Sequence, residues 1–169
     1  KENGILWHSQ GSGKSLTMVM LARWIRENIT GARILIITDR TELDEQIDRV
    51  FQQTGTTTTM SFTRAHSAAD LMQHLQNGEM TMVCALVHKF GRGLSLDDQD
   101  AVCAELKPPP GFQAKGDFYV FVDECHRTQS GKLHNAMKTL LPGAVFIGFT
   151  GTPLLAADKQ TSREVFGPY

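Results

Sequence analysis

Lys14 stands in the run His8-Ser9-Gln10-Gly11-Ser12-Gly13-Lys14-Ser15, where two glycines alternate with small polar residues ahead of an ammonium and a hydroxyl. Gly11 and Gly13 let successive backbone N–H groups turn inward, an arrangement suited to phosphate oxygens. Gln10 and Ser12 complete that cradle. Lys14 is expected to reach the β- and γ-phosphates of ATP, and Ser15 to offer its hydroxyl to Mg2+. The usual eight-residue pattern opens on glycine; here that position is His8, while Gly-Ser-Gly-Lys-Ser is intact. His8 reads as a packed loop residue and is given no catalytic role.

A second chemical group lies about a hundred residues downstream. Tyr119-Val120-Phe121-Val122 is an apolar run that ends in Asp123-Glu124-Cys125-His126. Two carboxylates at a strand end are costly to bury without a cation, and Mg2+ removes that cost. Asp123 is expected to bind the Mg2+, directly or through water. Glu124 is expected to position and polarise the attacking water. With Lys14, these two carboxylates are the candidate catalytic residues. The next apolar run ends in Gly148-Phe149-Thr150-Gly151-Thr152-Pro153. Thr150 and Thr152 offer hydroxyls to the acidic pair or the γ-phosphate, and His126 could link the acidic pair to Thr150. These three are the candidate coupling residues. Cys125 reads as a small core filler.

Such groups have to be held by regular elements, and the chain supplies them in alternation. Short apolar runs predict strands at Ile5–Trp7, Arg33–Thr38, Met80–Val87, Phe118–Val122 and Ala144–Phe149. Helical spacing occurs from Ser15 to Asn28, with Leu16, Val19, Met20 and Ile25 on or near one face. It returns from Glu42 to Gln53, from Ser67 to Gln76 with Ser67 as N-cap, over Asp97–Leu106 and around Lys132–Leu141. Thr54–Thr59 reads as a polar turn, and Pro108-Pro109-Pro110-Gly111 as a stiff surface loop. Strands alternating with helices predict a three-layer α/β fold, a mainly parallel sheet with helices on both faces. Ligands of such sheets sit beyond the carboxyl ends of the strands. The informative residues follow Trp7, Val122 and Phe149, at those ends.

The bulk properties bound the reading. A length of 169 residues fits one domain that can bury a core without staples. A net charge of −1 excludes attraction to nucleic acid by bulk charge, so any DNA contact must be local or shared with other parts of the protein. Three cysteines without a CxxC pair argue against a disulfide framework or a zinc site and for a reducing, cytoplasmic setting. No apolar run is long enough for a membrane helix. Lys1-Glu2-Asn3 lacks the build of a signal peptide. Gly4 leads almost at once into a strand, as expected of a segment cut from a longer chain.

Taken together, Gly-Ser-Gly-Lys-Ser, Asp-Glu-Cys-His and Thr-Gly-Thr-Pro resemble the superfamily 2 helicases and translocases. More narrowly, Leu6 to Met18 looks like the first motor motif of the motor (R) subunit of type I restriction endonucleases. In that family the His8 variant is familiar. Thr38-Asp39-Arg40-Thr41-Glu42-Leu43-Asp44-Glu45-Gln46 looks like the family's next motif. Val122 to Gln129 and Gly148 to Leu154 also fit, so the similarity spans nearly the whole chain. One departure is Ala85-Leu86-Val87-His88-Lys89-Phe90: where the family often has Thr-Thr-x-Gln-Lys-Phe, only Lys89-Phe90 survives.

The resemblance implies that residues 1–169 form the first RecA-like P-loop NTPase lobe of an ATP-dependent double-stranded DNA translocase. A nuclease domain and a second motor lobe, which supplies an arginine finger, would lie elsewhere in cis. Methyltransferase and specificity subunits would be partners. Arg40, Lys89 and Arg127 are then candidates for contact with the DNA phosphate backbone. The isolated lobe is expected to be a poor ATPase, because an arginine finger is worth roughly 10³–10⁵ in turnover. Two other readings stay open. One is a lobe of another superfamily 2 DNA or RNA helicase. The other is a P-loop kinase or nucleotide-gated module, which would need an acceptor pocket and an arginine-rich lid that the sequence does not display.

Overall fold

The computed structural model describes residues 3–8, 13–38, 41–53, 61–78, 81–86, 90, 103–123 and 130–151. Six strands and four helices are defined there: β1 (Gly4–Trp7), α1 (Lys14–Asn28), β2 (Ala32–Thr38), α2 (Thr41–Gln53), β3 (Ser61–Ala65), α3 (Ala68–Gln76), β4 (Thr81–Leu86), β5 (Asp117–Asp123), α4 (Ser130–Leu140) and β6 (Val145–Thr150). The strands form one sheet in the order β1-β6-β5-β2-β4-β3. Each pairing is parallel, so all carboxyl ends lie on the same side.

Central strands buried on both faces explain the unbroken apolar runs. All seven residues of β2 are buried, as are six of the seven in β5. Their side chains alternate between two cores. On one face Ile34, Ile36, Tyr119 and Phe121 pack with Met18, Val19, Ala22 and Ile25 of α1 and Leu43 and Ile47 of α2. On the other, Leu35, Ile37, Val120 and Val122 pack with Leu71 and Leu75 of α3 and Met137 and Leu140 of α4. The architecture is therefore three-layered, α/β/α, as the alternation predicts. Among the described residues no helix is long and apolar enough to cross a membrane.

Two details of the elements differ from expectation. β3 has no apolar signature: Ser61-Phe62-Thr63-Arg64-Ala65 is an edge strand with Ser61 exposed, Phe62 to Arg64 half-buried and Ala65 buried. Its Arg64 pairs with Asp48 of α2 at 2.8 Å, a charge of the kind that protects an edge. On α1 the buried stripe is Met18, Val19, Ala22 and Ile25, while Leu16 and Met20 are exposed. Val19 and Ile25 face the sheet as expected; Leu16 and Met20 do not. Of the helix expected over Asp97–Leu106, Cys103–Glu105 are helical. Residues 97–102 and the polar stretch 54–59 lie outside the described residues.

α3 and the far end of the sheet are fastened by polar contacts. Ser67 caps α3 by accepting from the Asp70 N–H at 3.1 Å. At the helix's other end the buried Arg33 guanidinium donates to the carbonyls of His74, Leu75 and Lys115 at 2.6–2.9 Å. It also lies 4.7 Å from the centre of the Phe118 ring. Gly116 passes over Arg33 with φ +110°, and a Cβ there would come within 2.6 Å of Arg33 Cδ. Only glycine fits that approach.

Candidate functional site

Four neighbouring strands end beside one another: β1 at Trp7, β6 at Thr150, β5 at Asp123 and β2 at Thr38. The register aligns Trp7 with Thr150, Phe149 with Asp123 and Ile37 with Val122. β6 is thus inserted between the strand leading into residues 8–15 and the strand carrying Asp123. That insertion places Thr150 beside Trp7, on the strand that pairs with the one carrying Asp123.

The chain leaves β1 through His8, whose N–H donates to the Thr150 carbonyl at 2.8 Å. Its Nε2 lies 3.0 Å from Thr17 Oγ1, on the first turn of α1. His8 therefore ties the base of the loop to both the sheet and the helix. Glycine, the usual residue here, could not supply the side-chain half of that tie. Gly13 then turns the chain into α1 with φ +88°, a left-handed conformation that favours glycine. The N-terminus of α1 has no side-chain cap and no acidic residue in its first turn. α3 has both. An uncapped positive helix end suits an anionic ligand.

Lys14 crosses from α1 to β5, and its Nζ contacts Asp123 Oδ1 at 2.6 Å across 109 positions of sequence. The Asp123 side chain is fully buried, and that of Lys14 is 17% exposed. The second carboxylate oxygen, Oδ2, accepts from Thr38 Oγ1 at 3.2 Å. Ser15 Oγ donates to Gln46 Oε1 of α2 at 3.0 Å. An ammonium, a hydroxyl, a buried carboxylate and an open helix end thus share one side of the sheet. This combination suits a polyphosphate carried with a hard cation.

The residues present fit Mg2+. The Asp123 carboxylate already faces a positive charge, the Lys14 ammonium, where a metal ion would otherwise balance it. Ser15 and Asp123 provide oxygen donors, which such an ion requires. Among the described residues no group of three or more His, Cys, Asp or Glu could hold a metal ion. Magnesium bound together with phosphates needs only one or two protein carboxylates or hydroxyls.

Of the site residues expected from sequence, the structure brings Lys14, Gly13, Ser15, Asp123 and Thr150 to this place. Gln10, Gly11, Ser12, Glu124, His126 and Thr152 lie outside the described residues, as do the DNA candidates Arg40, Lys89 and Arg127. Three polar participants had been given no role from the sequence: Thr17, Thr38 and Gln46. Thr38 and Gln46 fall within the motif Thr38–Gln46, but only the fold reveals that they face Asp123 and Ser15.

The sheet order and parallel pairing are those of a RecA-like α/β fold. The chain belongs to the SWI2/SNF2 ATPase family, whose model matches residues 1–169. The endonuclease subunit of the type I restriction enzyme HindI from Haemophilus influenzae is 32% identical over 181 residues, covering 98% of this chain and 16% of that protein. Relatives in Methanocaldococcus jannaschii and Staphylococcus saprophyticus also carry the names of type I restriction endonuclease subunits. The resemblance drawn from the motifs thus extends over the whole chain. The chain spans about a sixth of the length of these curated relatives.

Solved structures support the fold. A nuclease-deletion mutant of the type ISP restriction-modification enzyme LlaGI, in complex with a DNA substrate mimic, superposes with a TM-score of 0.56 at 15% identity, over 90% of this chain and 16% of that one. The UvsW helicase of bacteriophage T4 gives 0.57 at 20% identity, over 98% of this chain and 53% of that one.

Proposed function

We propose that residues 1–169 are the first motor lobe of a type I restriction endonuclease subunit, binding ATP with Mg2+ and driving translocation on double-stranded DNA. One observation carries this reading: the 2.6 Å contact between Lys14 and the buried Asp123, two residues 109 positions apart. It supports a common site for the phosphates and the metal.

In this reading Gln10, Gly11, Ser12 and Gly13 present backbone N–H groups to the phosphates. Lys14 exchanges its contact with Asp123 for one with the β- and γ-phosphates. Ser15 and Asp123, the latter directly or through water, would hold the Mg2+, which would neutralise phosphate charge. Glu124 accepts a hydrogen bond from the attacking water and aims it at the γ-phosphorus. Thr150 reports the state of the phosphates to β6, through a contact shared with His126 and Thr152. Arg40, Lys89 and Arg127 lie in motifs suited to the DNA backbone. An arginine finger from a second lobe in cis completes the ATPase, and methyltransferase and specificity subunits supply the DNA target.

The test is made on the intact polypeptide. Lys14→Ala should abolish nucleotide binding. Glu124→Gln should preserve binding and stop turnover. Duplex DNA should stimulate ATP hydrolysis without strand separation. Turnover that survives Glu124→Gln would remove Glu124 from its role, and strand separation would favour a helicase instead.

A further inference from the structure

We propose that Gln46 and Thr38 are positioning residues for the two protein ligands of the metal. The proposal rests on the reading of Ser15 and Asp123 given above and extends it to two residues outside the phosphate loop and the acidic motif.

The argument concerns where protons and lone pairs point. A serine hydroxyl that ligates a cation must direct its proton elsewhere. Gln46 Oε1 accepts that proton at 3.0 Å and so fixes the rotor of Ser15, leaving the oxygen lone pairs turned away from α2. Asp123 presents the complementary case. Thr38 Oγ1 donates to Oδ2 at 3.2 Å. The other oxygen, Oδ1, is the one that faces the Lys14 ammonium at 2.6 Å. Thr38 thus fixes the carboxylate plane with one oxygen engaged and one presented to a cation. Partners of this kind, which orient a ligand without touching the metal, tune metal affinity.

Both residues stand on firm supports. Thr38 is buried at the end of β2, whose seven residues are all buried. Gln46 is exposed, yet its neighbour Ile47 is fully buried in the core shared by α1 and α2. Its backbone is therefore anchored while its side chain reaches Ser15. The two come from consecutive elements, so β2 and α2 act as one bracket around the metal ligands.

The experiment measures binding of the β,γ-imido analogue of ATP to the intact protein by calorimetry, at saturating Mg2+ and in EDTA. A Mg2+ titration at fixed analogue accompanies it. Gln46→Leu and Thr38→Val should each raise the Mg2+ concentration at half-saturation roughly tenfold to a hundredfold. Affinity in EDTA should stay within about twofold of wild type, since the phosphate contacts are untouched. Gln46→Glu and Thr38→Ser keep an acceptor and a donor, and should restore the wild-type Mg2+ requirement or lower it. An unchanged Mg2+ requirement in Gln46→Leu would overturn the proposal. So would equal losses of affinity with and without Mg2+, which would mark a merely structural role. Because Gln46 is exposed, its variant decides the matter even if Thr38→Val fails to fold. A wild-type protein whose analogue binding ignores Mg2+ would instead overturn the reading of Ser15 and Asp123 itself.

Discussion

Removing the Lys14 ammonium should destabilise the nucleotide-free protein, and the loss should depend on Asp123. In Lys14→Met the stem is kept and the charge is lost, leaving a fully buried carboxylate whose remaining described hydrogen bond is from Thr38. At 2.6 Å and an effective dielectric near 20, the gross attraction is about 6 kcal/mol. Desolvation of the two charges offsets much of it, and breaking a buried pair at one end costs about 3–5 kcal/mol. Lys14 is 17% exposed, so water reaches the pair and the lower figure, about 3 kcal/mol, applies. For a chain of this size that corresponds to a fall of about 6–12 °C in the thermal midpoint. Asp123→Asn alone leaves an ammonium that can turn to water, at a cost of about 1 kcal/mol. The double variant should lie near the milder of the two. Denaturant unfolding of the wild type, both single variants and the double variant would give a coupling energy of about 3 kcal/mol. Losses that add to within about 0.5 kcal/mol would refute the pair as a buried, coupled unit.

Asp123→Asn should also release Lys14, so nucleotide affinity in EDTA should rise severalfold while the gain on adding Mg2+ disappears; calorimetry with and without Mg2+ measures both. Arg33→Met strips three carbonyls of a charged donor and should cost about 3 kcal/mol in denaturant unfolding, with Arg33→Lys failing to restore it. Gly116→Ala forces a Cβ to within 2.6 Å of Arg33 Cδ at a positive φ, and should cost more than about 1 kcal/mol by the same measurement. His134 is held down to about 4 from the usual 6.5, first by burial against Phe146 and then by the Lys138 charge. A base whose folded pKa is depressed stays neutral in the folded protein while the unfolded chain takes up its proton. Its contribution is therefore present above about 6.5 and is lost as pH falls toward about 4. His134→Leu should flatten that part of the stability profile; an unchanged slope would remove His134 as its source.

The candidate phosphate loop could be proposed from sequence because its chemistry is local. Gly13, Lys14 and Ser15 have meaning as neighbours, and the strand before them and the helix after them carry clear apolar patterns. Asp123 was legible because a carboxylate that ends six buried positions of β5 is costly without a cation. What the sequence withheld depends on register and packing. Thr38 meets Asp123 only because β2 lies beside β5, and Gln46 meets Ser15 only because α1 and α2 share one core. His8 read as a substitution for glycine; its bond to Thr17 depends on how the end of β1 lies beside the start of α1. On α1 the apolar residues at 16, 18, 19, 20, 22 and 25 satisfy more than one helical face. The orientation of the helix on the sheet decides that Met18 and Ala22 go in and Leu16 and Met20 stay out. β3 escaped notice because an edge strand with one buried residue has little need of apolar alternation.

The most direct measurement is a crystal structure of the protein with the β,γ-imido analogue of ATP and Mg2+. Lys14 Nζ should have left Asp123 for the phosphates, with Ser15 and Asp123 holding the metal directly or through water. Nucleotide bound elsewhere while the Lys14–Asp123 contact remains would contradict the account.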